Sequence, residues 1–177
     1  MRTDARRNYE RLLAVAEEQV AEHGADASME QIARLAGVGS GTARRHFPTR
    51  QVMLEAVFRE RVDALATQAE VPAAVEDPVR ALIGWLEAVL FATSTFRGLA
   101  EALARENATP LCATGRLAQA GRPLVSRAGA SLQPGVTIGD LLDLVTGIAL
   151  ATEHRADREE AVQRLLRLAI DGVCRPA

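Results

Sequence analysis

Cysteine is scarce in this chain: Cys112 and Cys174 are the two among 177 residues, with no C-x-x-C pair and no histidine cluster beside either. That spacing excludes a zinc site built on paired cysteines and a dithiol redox motif, so two free thiols, no metal and no cofactor are expected. Lysine is missing altogether, since all 21 basic residues are arginine. A GC-rich coding bias explains this more simply than a demand for bidentate phosphate or guanine contacts. No run approaches the ~20 apolar residues that span a bilayer, and the opening M-R-T-D-A-R-R-N-Y-E has no apolar signal core. A soluble, cytoplasmic protein with no membrane partner is the expectation. The formal net charge of -2 argues against a protein that coats nucleic acid with its whole surface, so any such contact must come from a restricted patch.

With 48% hydrophobic and 25% charged residues, the chain fits one globular domain or a small domain fused to a larger one. Strand alternation bounded by hairpin turns is absent and helical spacing dominates, so the fold class is all-α. The most informative stretch runs from Ser28 to Phe47, S-M-E-Q-I-A-R-L-A-G-V-G-S-G-T-A-R-R-H-F. Ser28 caps a short helix with Gln31 closing a capping box, and Ile32, Leu35 and Ala36 form its apolar stripe. Gly37 ends it. Thr42, Ala43, His46 and Phe47 then return at helical spacing, leaving Ser40, Arg44 and Arg45 outward. Two short helices across a glycine turn are a helix-turn-helix pattern. From residue 31 to residue 54 there are four arginines and no carboxylate, a local positive field of the kind that DNA phosphates attract.

Upstream, a helix from Asp4 to Glu22 turns Leu12, Leu13, Val15, Ala16 and Val20 inward, with Gly24 just past its end. Downstream, Thr49 caps a helix reaching about Ala69, and residues 70 to 76 read as a linker. Asp77-Pro78 opens a helix that is apolar almost all round, with Leu82, Ile83, Trp85, Leu86, Val89, Leu90 and Phe91. Further helices fit Leu99 to Glu106 and about Pro110 to Ala130, the second weakened by Gly115, Gly121 and Pro123, before a turn at Gln133-Pro134-Gly135. Thr137 with Asp140 caps Ile138 to about Glu153, and Asp157 with Glu160 forms a box before Arg158 to about Val173.

The last two helices carry more apolar residues than one stripe needs. Leu141, Leu142, Val145, Ile148, Leu165, Leu166 and Ala169 are candidates for a four-helix dimer interface, against the alternative that they fill a monomer core. Trp85, Phe91, Thr95, Phe96, Leu99 and Cys112, with Thr93, Arg97 and Glu101 as further polar handles, are candidates for a small-molecule pocket. Core packing is the commoner fate of such aromatics. Arg2, Arg6 and Arg7 fit either an arm on phosphates or a solvated helix face. The run G37-V38-G39-S40-G41 is not a phosphate loop, because no strand precedes it and no Gly-Lys-Ser/Thr follows. His23 and His154 receive no role. No Ser-His-Asp or Cys-His signature is visible, so no catalytic residue and no enzyme activity is expected.

The stretch I32-A33-R34-L35-A36-G37-V38-G39-S40-G41-T42-A43-R44-R45-H46-F47-P48-T49-R50 resembles the signature I-A-x-x-A-G-V-S-x-G-T-L-Y-x-H-F-x-[ST]-K of the TetR family of transcriptional regulators. The resemblance implies a DNA-binding domain over 1–48, a connecting helix over 49–71, and a ligand-binding and dimerisation domain over 72–177. It implies a homodimer that reads a palindromic double-stranded DNA operator, most simply a repressor released by a small-molecule effector. By position, Ser28 caps the first helix of the pair near a phosphate, Ser40 approaches base edges and Thr42 binds phosphate. Arg45 and His46 flank the backbone, Arg50 replaces the family's lysine, and Phe47 is core. Three positions depart from the pattern: Gly39 for serine, Ala43 for a larger apolar residue, and Arg44 for a tyrosine that stacks on the DNA backbone. Arginine at 44 can bind phosphate or reach guanine O6 and N7. That third departure also motivates an alternative, a helical small-molecule-binding protein whose DNA contacts are degenerate.

Overall fold

The computed structural model describes residues 2–24, 27–70, 77–95 and 113–175. Helix α1 spans Arg2–His23 and stops where Gly24 turns to φ +61°. Its buried side is Leu12, Leu13, Ala16 and Val20, the i, i+4, i+8 spacing of one helical face. Val15 is only half-buried. Helices α2, Met29–Leu35, and α3, Ser40–His46, pack against α1 around Ile32, Ala33, Ala43 and Phe47. Leu35, expected in the apolar stripe of α2, is instead 54% exposed. Ala33 takes the inward position: the buried face of α2 is the one shared by Ile32, Ala33 and Ala36, and at 3.6 residues per turn Leu35 lies about 100° round the helix from its centre.

Helix α4 covers Arg50–Glu70, and Thr49 Oγ1 accepts the Val52 N–H at its start at 3.2 Å. The residues up to Arg61 belong to one compact unit, and the described residues from Val62 onward to a second. Helix α4 is continuous through that boundary.

In the second unit, α5, Pro78–Thr95, starts where Asp77 Oδ1 accepts N–H bonds from Val79 at 2.9 Å and Arg80 at 3.3 Å. It packs against α6, Ala113–Ala128, and α7, Ile138–Thr152, while α8, Arg158–Val173, packs on α7. The helix expected over Leu99 to Glu106 lies outside the described residues. Helix α6 persists despite Gly121 and Pro123 because Leu117, Leu124 and Ala128 are buried on one stripe with Gly121. Tertiary packing outweighs poor propensity there. Arg116 and Asp63 form an ion pair between α6 and α4.

The capping box at Thr137 and Asp140 is complete. The one expected at Asp157 and Glu160 is not: Asp157 makes no side-chain cap bond. Arg155 donates to both of its carboxylate oxygens at 2.9 Å, and that charge-assisted fork displaces the weaker bond to a backbone N–H. An isolated bridge pairs Leu132 with Cys174 and ties the chain after α6 to the end of α8. Among the described residues no helix is long and apolar enough to cross a membrane.

Candidate DNA interface

The turn between α2 and α3 is built at the backbone. Ser28, extended at φ -85° and ψ 121°, caps α2 by accepting the Gln31 N–H on its hydroxyl at 3.4 Å. At the other end Gly37 takes φ +63°, its N–H reaches Arg34 O at 3.1 Å and the Val38 N–H reaches Ala33 O at 3.0 Å. This is a Schellman stop, and its left-handed residue is why glycine stands at 37. Arg11 closes the turn from α1. Its Nε and Nη2 donate to Ala36 O at 3.1 and 2.6 Å, and Nη2 donates to Gly37 O at 3.1 Å. Nothing in the local sequence marks Arg11 for this role, because its acceptors lie 25 and 26 residues away.

Gly39 starts α3 in an extended conformation without a side-chain cap, and its carbonyl accepts the N–H groups of Thr42 and Ala43 at 2.8 and 3.0 Å. Ala43 and Phe47 seat α3 on the core. The Tyr9 ring lies 5.3 Å from the Phe47 ring and 5.9 Å from His46, so α1 clamps the end of α3. Ser40, Gly41, Arg44 and Arg45 are exposed, and Thr42 and His46 half-buried. Among the described residues neither Arg44 nor Arg45 has an ion-pair or hydrogen-bond partner for its side chain. Both cations are therefore free for an external anion or acceptor, unlike Arg11 and Arg155.

Ser28, Ser40, Arg44 and Arg50 line one open cleft of about 370 Å³ formed by α2, α3 and the start of α4. Thr42, Arg45 and His46 do not line it. Glu30 does, so the carboxylate that lies one residue outside the all-positive window of the sequence is brought by the fold into the same cleft as Arg44 and Arg50. Among the described residues no group of three or more His, Cys, Asp and Glu side chains is placed to hold a metal ion.

The candidate pocket residues divide differently. Trp85 is 3% exposed, its indole N–H donates to Leu65 O at 2.8 Å, and its ring abuts Gly121, where an added Cβ would sit 2.7 Å from it. The tryptophan is thus anchored in the core of the second unit. Thr93 is buried with its hydroxyl donated to Val89 O at 2.7 Å within its own helix. Phe91, expected to face inward, is 66% exposed. Phe96, Arg97, Leu99, Glu101 and Cys112, and the Thr95 side chain, lie outside the described residues. Of the candidate dimer residues, Leu141, Leu142, Val145, Ile148 and Leu166 are buried within the chain itself, and Leu165 and Ala169 are half-buried. The large apolar side chains that α7 and α8 leave exposed are Leu144, Leu150 and Leu168.

Residues 12–57 match the family model for bacterial regulatory proteins of the tetR family. Residues 77–175 match that for the C-terminal domain of SbtR-like transcriptional regulators. A TetR transcriptional regulator from Streptomyces coelicolor is 32% identical, with 96% of this chain and 99% of that one covered at a TM-score of 0.74. A TetR regulatory protein from Mycobacterium vanbaalenii is 27% identical, with 98% and 99% covered at 0.66. SmeT, the repressor of a Stenotrophomonas maltophilia multidrug efflux pump, shares the fold at 17% identity, with 96% and 91% covered at 0.66. No curated protein sequence matches the chain. Both units thus carry the family's models, the helix-turn-helix has its geometry, and a relative above 30% identity spans nearly the whole chain: the protein belongs to the TetR family, and is a DNA-binding transcriptional regulator, not an enzyme.

Proposed function

We propose that this regulator is a cytoplasmic homodimeric repressor that reads a palindromic operator through α3 and is released by a small-molecule effector bound in the second unit. The observation that carries the reading is the pair of exposed, unpartnered arginines on α3, Arg44 and Arg45, on a helix seated by buried Ala43 and Phe47. Ser28, Ser40, Thr42, His46 and Arg50 complete the contact. Ser28 and Arg50 position the backbone at the starts of α2 and α4, and Ser40 meets base edges at the start of α3.

Two copies are needed, because one recognition helix reads only a half-site. The two α3 helices of a dimer must enter successive major grooves about 34 Å apart. Leu144, Leu150 and Leu168 are the exposed apolar surface that favours self-association through α7 and α8. Release requires the effector to bind one arrangement of the dimer better than the other, since equal affinity for both shifts nothing. Helix α4, continuous between the units, is the element through which that preference reaches α2 and α3. Repression is the role stated for SmeT, a protein of the same fold.

Binding of the purified protein to DNA upstream of its own gene tests the reading, across a salt series with excess competitor, beside Arg44→Ala and Arg45→Ala. Specific retention that weakens with salt, with a log-log slope of about -0.9 per phosphate contacted, and loss of about tenfold or more in each variant are expected. Ligand-dependent melting without specific retention on that or neighbouring intergenic DNA would favour a small-molecule-binding protein instead.

A further inference from the structure

The cleft between α2 and α3 holds a group that phosphate binding does not call for. Ser28, Ser40, Arg44 and Arg50 are hydroxyls and cations, but Glu30 lines the same cleft, and a carboxylate repels a phosphate laid beside it. Glu30 is exposed, and among the described residues its side chain has no ion pair or hydrogen bond. Its service to the fold is a weak dipole contact at the start of α2, which Ser28 already caps. Arg44 is the complementary case: exposed, unpartnered, and carrying a planar fork of N–H donors.

Gly41 adds an independent observation. It stands on the outward face of α3, next to Ser40 and within one turn of Arg44 and Arg45. A Cβ there would meet nothing within 4 Å, and its φ lies outside the left-handed region. Nothing in the protein requires glycine at that position, and glycine inside a helix costs stability. A bare helix face does allow the backbone of α3 to come close to a groove floor, which brings the flanking side chains within reach of base edges.

The major-groove edge of a G·C pair presents two acceptors, guanine O6 and N7, and one donor, the cytosine N4 amine. We propose that Arg44 and Glu30 are the specificity-determining pair of this regulator and read G·C base pairs in each half-site. Arg44 donates to guanine O6 and N7, and Glu30 accepts from a cytosine N4 amine on the same or the neighbouring pair. The inference rests on the operator-binding reading above.

The test uses the full-length protein on a library of double-stranded DNA with a random core, followed by a base-pair scan of the selected site with wild type, Arg44→Ala, Glu30→Ala and Glu30→Gln. Both side chains are exposed, and thermal melting checks that each variant is folded. The expected result is at least one G·C pair per half-site whose change to A·T, or whose guanine's replacement by 7-deazaguanine, weakens the wild type about tenfold. The same change should weaken Arg44→Ala by less than about twofold. Glu30→Ala and Glu30→Gln lose the preference for cytosine at their position while binding competitor DNA more tightly. An Arg44→Ala variant weakened by one factor on every sequence, with a salt slope smaller by about one, makes Arg44 a phosphate contact and overturns the proposal. Tighter binding of the Glu30 variants to all sequences with preference unchanged overturns the carboxylate's part. A library from which the wild type enriches no sequence sinks the operator reading itself, an outcome distinct from either.

Discussion

At single positions the surroundings, not the residue type, decide what a substitution does. Gly121 and Gly41 both lie inside helices, where alanine is intrinsically favoured by about 1 kcal/mol. At Gly121 a Cβ would fall 2.5 Å from Ile138 Cδ1 and 2.7 Å from the Trp85 ring, and that ring is tethered through its bond to Leu65 O. Overpacking of this kind costs about 1–3 kcal/mol. Gly121→Ala should therefore lose up to about 2 kcal/mol net and melt lower, at roughly 2–4 °C per kcal/mol for a chain of this size. Gly41 has open space around it, so Gly41→Ala should melt higher by a similar rule while losing DNA affinity. The paired measurement is a thermal melt and a binding titration on each variant. A Gly121→Ala protein as stable as wild type would show that Trp85 and Ile138 can yield.

Among elements, the helix-turn-helix depends on a side chain outside itself. Arg11 donates three hydrogen bonds to the carbonyls of Ala36 and Gly37, where α2 leaves acceptors unsatisfied. Arg11→Ala should cost about 1–2 kcal/mol, and amide exchange should rise in the turn from Arg34 to Ser40 before it rises in α5 or α7. Two carboxylates elsewhere give opposite pH signatures. Hydrogen bonds from the Thr137 hydroxyl and then from its backbone N–H hold the Asp140 carboxyl below the ordinary aspartate range. The cap of α7 is thus intact above the unfolded value of about 3.9 and is lost only as pH falls through the lower folded value. Burial first, and repulsion from Glu60 second, push Glu17 up, with Arg61 partly offsetting them. Ionising Glu17 therefore opposes folding: its contribution is best below about pH 4.3 and declines as pH rises through the folded value. Melting curves from pH 7 to pH 3 should show Asp140→Asn less stable than wild type at neutrality and converging on it in acid. Glu17→Gln should be more stable at neutrality and converge from the other side.

For the whole molecule, the proposed dimer changes which residues matter in α7 and α8. Leu168, 62% exposed, and Leu144 can each be made charged without disturbing the chain's own core. Leu141 and Leu166, being buried, cannot. Leu144→Glu with Leu168→Glu should give a folded monomer by sedimentation whose operator affinity falls by about 100-fold or more, because two half-sites are no longer engaged together. A double variant that stays dimeric would move the interface elsewhere. Leu166→Glu, in contrast, should unfold the second unit.

Local features were legible before any coordinates: the caps at Ser28, Thr49, Asp77 and Thr137 and the glycine stop at 37 all follow from neighbours within four residues. So was the family, since its signature lies in one continuous stretch. One failure was local, since Arg155 stands two residues before the Asp157 that it takes from its expected cap. The others required distant atoms: Arg11 reached across 25 residues to the turn, and Glu30 joined the cleft of Arg44. Trp85 and Leu35 were placed by which helix faces meet, one packed against Gly121 and the other turned out. The sequence by itself determined the helices, their ends and the positive character of α3, because hydrogen-bonded turns and periodic burial are short-range. Only the tertiary structure decided which apolar side chains fill the core and which charges stand free, because packing and pairing depend on groups far apart along the chain.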